Sequence, residues 1–427
     1  MNNTSGALLL QAWLAAVLIC LWTIPAGGSQ APGNEPTLTL EEAVQRTLDS
    51  HPALQVAALD VDVERARRNY RAQKPPIAFE AEIENVAGSG NASGVDGAEV
   101  TLRLSRVLER GRKPELRYDV GAHRIDRALI AENATALALA RDATDRFIEV
   151  VALQERVALA QHSLRIATDT LEFVTASVEA GRRSRAEESM ARVERARAEL
   201  YMLDVERRLE AARLALASLW RASAPDFGRA EADFHRLPAL PPYDSLERRL
   251  EDNPEMQRRA TEFRLLQAQR RLAAAQEKSD ISLAGGLKRL GETGDVGLVF
   301  SVSMPFGSAS RARPLIEQSE LQLARNPAAA EAQMLALRTL LSGLYNDLEF
   351  SRQASGRLRD DIIPEARKAV RMYEDAFRVG SSTLLELNQA QQALLELQQE
   401  LVDAAARYHA TLMEIEYLLG AGYEVQP

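Results

Sequence analysis

The sequence predicts a mainly α-helical protein with a small β portion, built from two copies of one arrangement. Similar segments recur about 200 residues apart, each copy contains a very long helical segment, and each contains two short segments of alternating apolar and polar residues. The chain has 427 residues, of which 46% are hydrophobic and only 5% aromatic. Its apolar residues are mostly Ala, Leu and Val, which suits long helices that pack closely.

The duplication rests on three pairs of segments that occur in the same order and at nearly constant spacing. They are His51-Pro52 with Asn253-Pro254, residues 100–105 with 298–303, and residues 179–184 with 378–383. A repeat of this kind indicates that each copy is one structural unit. We therefore divide the chain into a leader at 1–28, a first repeat at 29–224, a linker at 225–243 and a second repeat at 244–427. The linker contains Pro238, Pro241 and Pro242, which break helix continuity.

In each copy the predicted order is helix, two strands, long helix, turn and helix. The first helices are predicted over residues 41–73 and 244–278. Gly181 and Gly380 interrupt segments that are helical on both sides, so each is predicted to form the tip of a helical hairpin.

The long helices differ between the copies. Residues 115–179 contain no proline and one glycine, Gly121, and would extend for nearly 100 Å if continuous. The counterpart, residues 314–379, contains Pro327 and Pro364, and we expect a break or kink there.

Four segments alternate with the period of two that is typical of strands. They are residues 77–84, 100–105, 281–287 and 296–302. One interpretation is that two hairpins pack on a soluble core. The other is that the strands span a membrane, where four strands cannot close and a trimer would supply twelve.

The amino terminus has the pattern of an export signal. An apolar run over residues 7–24 is followed by the small residues Ala26 and Gly28, which predicts a signal peptide cleaved after Gly28. The leader lacks Lys or Arg and the run is slightly long, so an uncleaved anchor is the alternative. Ile19 is bulky where a lipoprotein signal has a small residue, which disfavours lipidation of Cys20.

The composition excludes several classes. A single cysteine rules out an internal disulfide framework, and the five histidines form no local metal-binding motif. A net charge of −9 argues against nucleic-acid binding through a general basic surface. No nucleophile elbow, phosphate-binding loop or zinc motif occurs, so we expect neither an enzyme nor a cofactor.

Three motifs carry a family resemblance. They are residues 40–43 with His51-Pro52, residues 373–380, and residues 383–390. In this duplicated order the chain resembles the TolC-like outer membrane factors of Gram-negative bacteria. Residues 108–113 are similar to the branch that serves heavy-metal cation efflux, although Val107 and Arg110 stand where that branch often has Pro and a second Gly.

The resemblance implies a trimeric channel-tunnel that performs no chemistry. A twelve-stranded β-barrel would lie in outer membrane lipid, continuous with an α-helical barrel that projects into the periplasm. The homotrimer would dock to a periplasmic adaptor and an inner-membrane pump, often of the resistance-nodulation-division (RND) type, which supplies the energy. The alternatives are a multidrug or protein-secretion duct of the same fold, and a soluble exported coiled-coil scaffold or adaptor.

The resemblance also suggests three groups of functional residues. The adaptor-docking tips would be Gly181, Arg182, Val379, Gly380 and Ser381. The periplasmic entrance would carry Glu386 and Gln389, where the family has two acids three residues apart. The barrel lumen would be lined by Glu80, Glu82, Glu84 and Arg103. Each group has a simpler interpretation: the glycines only permit the turns, and the charged residues only face water.

Overall fold

The computed structural model describes residues 36–90, 94–239 and 241–420 and confirms the mainly helical, duplicated fold. The predicted leader at 1–28, with Cys20, lies outside the described residues. The first half contains β1 (Thr37–Leu38), α1 (Leu40–Ser50), α2 (Pro52–Arg71), β2 (Ile77–Glu84), β3 (Glu99–Leu108), α3 (Lys113–Glu179), α4 (Arg185–Ser218) and β4 (Arg229–Ala230). The second contains α5 (Tyr243–Arg248), α6 (Pro254–Ala275), β5 (Ile281–Arg289), β6 (Val296–Ser303), α7 (Ser308–Arg357), α8 (Ile363–Arg378) and α9 (Leu384–Leu418).

The first helix of each copy is divided in two, which corrects the predicted single helices at 41–73 and 244–278. Pro52 and Pro254 each stand at the start of a new helix, where a missing N–H costs nothing. The preceding residue caps that helix: Nδ1 of His51 accepts from the Ala53 amide at 3.2 Å, and Oδ1 of Asn253 accepts from the Glu255 amide at 2.8 Å. The repeated motif therefore marks a helix boundary.

The two long helical arms differ as expected in continuity. α3 runs for 67 residues without a break. α7 continues through Pro314 and Pro327, so the break expected near Pro327 does not occur. At Pro364 it does occur, as a π-helical turn over Leu358–Ile362 between α7 and α8. Proline cannot donate to the carbonyl four residues back and its ring crowds that carbonyl, which is a physical reason for the irregular turn before it.

The four long strands form one antiparallel sheet in the order β2-β3-β5-β6. Arg103 on β3 pairs with Glu80 on one side and with Gly286 on the other. A Cβ on Gly286 would lie 2.7 Å from Cα of Arg103, so glycine is required for this close pairing. Both strand pairs predicted from alternation are thus present and lie side by side.

The linker is more ordered than its prolines suggested. β4 pairs in parallel with β1 near the start of the described chain, a small sheet that the sequence did not predict. Phe227 and Phe234, on either side of β4, are buried against Phe147 of α3 and the residues around it. This is the largest apolar core, and it joins the two halves midway along α3.

Candidate functional site

The two helical hairpins end in the same backbone turn. Gly181 and Gly380 have φ angles of +70° and +84°, the left-handed conformation that glycine adopts at helix ends. In the first turn the Arg182 amide donates to the Ser177 carbonyl, and in the second the Ser381 amide donates to the Ala376 carbonyl, both at 2.9 Å. A Cβ on either glycine would meet no atom within 4 Å. The glycines are therefore set by backbone conformation and not by close packing.

The helix that leaves each tip begins with the same reciprocal cap. Ser184 accepts from the Glu187 amide, and the Glu187 carboxylate accepts from the Ser184 amide at 3.0 Å. Thr383 and Glu386 repeat this arrangement at the start of α9, with the Thr383 amide donating to Glu386 at 2.8 Å. Such capping boxes satisfy amides that have no partner within the helix.

The predicted docking residues are brought to the surface of these tips. Arg182 and Ser381 are exposed, and Val379 is 80% exposed. Val379 therefore contributes little to the apolar core of its own chain.

Glu386, predicted at the entrance, also has a structural role, which was not among the predictions from the sequence. Besides the amide and hydroxyl of Thr383, its carboxylate accepts from the Ser382 hydroxyl at 2.9 Å. The Thr383 amide is the main cause, with these hydroxyls, of a Glu386 pKa below the ordinary carboxylate value. The group is exposed and remains charged. Gln389 is also exposed, one helical turn further on.

Arg183 is the residue at the tips that the sequence analysis missed. Its side chain is 10% exposed, and its guanidinium carbon lies 3.6 Å from the ring centroid of Phe377 on α8. Its Nη1 atom lies 2.9 Å from Glu187, and Nη2 donates to the Phe377 carbonyl. Phe377 packs in turn on Phe173 of α3. Arg183 of the first hairpin therefore binds the second hairpin. Its partner Phe377 is 194 residues away in the sequence, so the contact depends on the fold.

The predicted lumen residues lie together on one face of the sheet. Arg103 pairs with Glu80 at 2.9 Å and also with Glu82. Glu84 is bound by Lys288 at 3.0 Å. Lys288, from the second repeat, was not among the predicted residues, although its position in the alternation of β5 could have indicated it. The face is therefore charge-paired and only partly acidic.

The opposite face of the sheet is apolar and exposed. Its large side chains that are at least 62% exposed are Ile77, Phe79, Ile83, Val296, Leu298, Phe300 and Val302. A contiguous apolar surface of this kind needs cover from lipid or protein.

Two further structural properties bear on function. Within the described residues, no helix combines the length and apolar content needed to cross a membrane. In the same part of the chain, no group of three or more His, Cys, Asp or Glu side chains converges as a metal site requires.

Comparison with known proteins adds relatives along nearly the whole chain. Cobalt-zinc-cadmium resistance protein CzcC of Cupriavidus metallidurans is 24% identical over 383 residues, which is 90% of each chain. A membrane protein from Pseudomonas aeruginosa superimposes with a TM-score of 0.76 at 17% identity and covers 91% of both chains. CusC superimposes with a TM-score of 0.73 at 15% identity, over 93% of this chain and 97% of its own. These structures support the fold.

The predicted resemblance is confirmed at the level of the family. The family model described as "Outer membrane efflux protein" matches residues 43–220 and 246–421, once in each half of the chain. This agrees with the expected class, a transport protein and not an enzyme. Since the matched residues make up well over half of the sequence, the chain belongs to the outer membrane efflux protein family.

Proposed function

We propose that three copies of this chain form the outer-membrane duct of a tripartite efflux system that exports heavy-metal cations. The family match over both halves carries the transport role. The cation class is supported by the relative named as a cobalt-zinc-cadmium resistance protein. It is also supported by the similarity of residues 108–113 to the heavy-metal branch.

The trimer is supported by the two free edges of the sheet. β2 and β6 are its outer strands, so each presents unpaired backbone groups along one side. In lipid those groups need partners, and pairing β2 of one copy with β6 of the next would provide them. Three copies would close twelve strands, with the apolar face toward lipid and the Arg103 face toward the lumen.

The tips are proposed to dock to the periplasmic adaptor, which connects the duct to an inner-membrane pump of the RND type. The docking surface comprises Gly181, Arg182, Val379, Gly380 and Ser381. Their exposure and the unused apolar side chain of Val379 support this role. Glu386 and Gln389 lie on the first turns of α9 beyond the second tip, where threefold symmetry would arrange them as rings around the periplasmic entrance.

Deletion of the gene in its host tests the function. We expect loss of tolerance to Co²⁺, Zn²⁺ or Cd²⁺, restored by the intact gene, and fractionation of the protein with outer membranes. Unchanged tolerance to all three ions with altered tolerance to organic drugs would instead favour a multidrug duct. Recovery in the soluble periplasmic fraction would contradict the membrane role altogether.

Cysteine cross-linking tests the closure of the strands. A cysteine at Glu82 on β2 is combined in turn with one at Gly297, Val299 or Ser301 on β6. If the leader is removed, Cys20 goes with it and no native cysteine interferes. We expect one pairing to give disulfide-linked trimers on a non-reducing gel. Monomers at all three positions would contradict the proposed barrel.

A further inference from the structure

A cavity of about 350 Å³ lies near the ends of four helices that adjoin the sheet. It is lined by α2, α3, α6 and α7, and Arg71, the last residue of α2, stands six positions before β2. Five arginines line it: Arg67, Arg68, Arg71, Arg117 and Arg124. Four glutamines and one serine add further hydrogen-bond donors. The volume is within the range of small-molecule sites.

The side chains that line the cavity carry a net positive charge. Of the described side chains that line the cavity, only Glu64 is acidic, and it pairs with Arg67 at 2.5 Å. Arg117 pairs with Glu109 outside the lining, also at 2.5 Å. Five guanidiniums against these two carboxylates leave three positive charges.

Arg71 and Arg124 account for most of that excess. Among the described residues, no carboxylate forms an ion pair with either of them. Burial is the main cause of a lowered Arg124 pKa, and repulsion from Arg71 adds to it, whereas Glu64 acts in the opposite direction. Arg71 is exposed and Arg124 is half-buried, and an anion bound between them would offset their repulsion.

Gly121 of α3, the glycine within an otherwise uninterrupted helix, allows the arginines to converge. A Cβ at this position would lie 2.6 Å from Cβ of Arg68, so any other residue would push α2 away. The close approach places the Arg68 guanidinium 4.7 Å from the ring centroid of Tyr118. Glycine within a helix costs about 1 kcal/mol relative to alanine, and here the close approach of α2 requires it.

The cavity is bordered by four neighbouring helices. α3 packs between α2 and α6, and α6 packs between α3 and α7, so the four helices stand in one row. The cavity is lined by residues of every helix in that row. In the trimer proposed above, the helix ends that adjoin the sheet would lie close to the membrane.

We propose that this cavity is a binding site for a phosphate-type oxyanion. The planar guanidinium fork matches two oxygens of such a group, and several arginines together recognise phosphate better than a single charge does. The anion would be either a soluble phosphate or the headgroup phosphate of a lipid. The proposal rests on the arginines and the cavity and does not require the efflux function.

Inorganic phosphate is the probe for the first source. Full-length protein in non-ionic detergent is titrated with phosphate by calorimetry at low ionic strength. We expect saturable binding that weakens at least tenfold in the double variant Arg71→Gln/Arg124→Gln. Arg127→Gln is the matched control, because Arg127 lies one turn along α3, does not line the cavity and pairs with Glu262. It should bind phosphate as the unaltered protein does.

Native mass spectrometry tests the second source, with phosphatidylglycerol compared against a diacylglycerol that has no phosphate. If free phosphate binds poorly to the unaltered protein and to both variants, and the double variant loses phosphatidylglycerol binding, the site binds a lipid headgroup. Loss of free phosphate binding assigns it to a soluble anion. The proposal is overturned if the unaltered protein binds neither ligand, or if the double variant, eluting at the same size, binds both as tightly as the control.

Discussion

The two hairpin tips share a backbone turn and a helix cap but differ at the residue before the cap. In the first tip this residue is Arg183, which reaches across to Phe377 of the other hairpin. In the second it is Ser382, whose hydroxyl donates to Glu386 and to the Thr383 carbonyl, both within its own hairpin. The shared part shapes each turn, whereas the differing part joins one hairpin to the other. The tips are thus equivalent in local structure and unequal in the contacts that hold them together.

Removing the arginine should have the largest effect. Arg183→Ala loses a nearly buried cation–π contact and two hydrogen bonds, which we expect to cost about 2 kcal/mol of local stability. Hydrogen exchange at the amides around Phe377 should accelerate by roughly thirtyfold. Arg182→Ala, one residue away and exposed, is the control and should leave the rate unchanged. Equal rates in both variants would mean that helix packing alone holds the tips together.

Replacing the glycines should have the next largest effect, and it separates the turn from docking. Gly380→Val forces a β-branched residue into the left-handed region and should cost about 1–2 kcal/mol, whereas Asn tolerates that region better. If docking requires a residue without a side chain at this position, Gly380→Val and Gly380→Asn should both abolish efflux while trimers persist in the membrane.

Efflux retained by Gly380→Asn but lost by Gly380→Val would show that only the turn matters. The same two substitutions at Gly181 test whether the tips are equivalent, because both glycines have open space around them. A different outcome at the two positions would identify the tip that contacts the adaptor more closely.

The capping glutamates should give a smaller, pH-dependent effect. Hydrogen bonds, chiefly from the backbone amides of Ser184 and Thr383, lower the pKa of Glu187 and Glu386. The stability that each carboxylate adds is therefore fully present above its ordinary pKa of 4.5 and is lost as the pH falls through the lowered value. The melting temperature of Glu187→Gln/Glu386→Gln should vary less with acidification than that of the unaltered protein. Equal pH dependence would contradict the assigned cause.

Conductance distinguishes the two glutamates where stability does not. Glutamine also serves in a capping box, so each single variant should assemble normally. We expect Glu386→Gln to reduce cation selectivity and block by divalent cations in a planar bilayer, with Glu187→Gln as its matched control. Unchanged block in both variants would leave Glu386 only its structural task.

The smallest structural change is expected from Gln389→Glu, which restores the second acid of the family pattern on an exposed position. A second ring of carboxylates would raise the local cation concentration, so divalent block should strengthen. Thermal stability should stay within about 0.5 kcal/mol, as for other surface substitutions. Block no stronger than before would argue against these positions lining the entrance.

Local signals in the sequence were sufficient to predict the four long strands and the location of both turns. Gly181, Gly380 and the alternating strands each encode their conformation within a few neighbouring residues, and the structure places all of them as expected. On the charged face of the sheet, the sequence predicted the three glutamates and Arg103 but not Lys288. The acids and Arg103 belong to one hairpin, whereas Lys288 reaches Glu84 from the other repeat.

Other features depend on partners that are distant in sequence. The sequence does not distinguish Arg182 from its neighbour Arg183. Only in the folded chain does Arg183 contact the Phe377 ring. Gly121 is recognisable as an irregularity, but its reason is Arg68 on another helix. Glu386, by contrast, has its cap partner only three residues away, at Thr383. The role of Glu386 in the cap was therefore predictable from the local sequence, although only its role at the entrance was predicted.

The π turn between α7 and α8 behaves as a single-residue insertion in a coiled coil. Up to that turn the buried residues advance by steps of three and four, through Leu348, Ser351, Ser355 and Leu358. After it they advance by sevens, through Ile363, Val370 and Phe377. Across the turn the step is five, so Ile363 is 4% exposed where Ile362 is 42% exposed.

The insertion keeps Phe377 in phase for its contact with Arg183. Deleting one residue within Leu358–Ile362 would restore a step of four and leave both stretches of the seam facing inward, whereas a deletion in the middle of α3 would rotate everything beyond it by about 100°. We therefore expect the first deletion to preserve the melting temperature far better than the second. The α7–α8 segment therefore contains one residue more than the helical repeat needs and can lose it, whereas α3 contains no such extra residue.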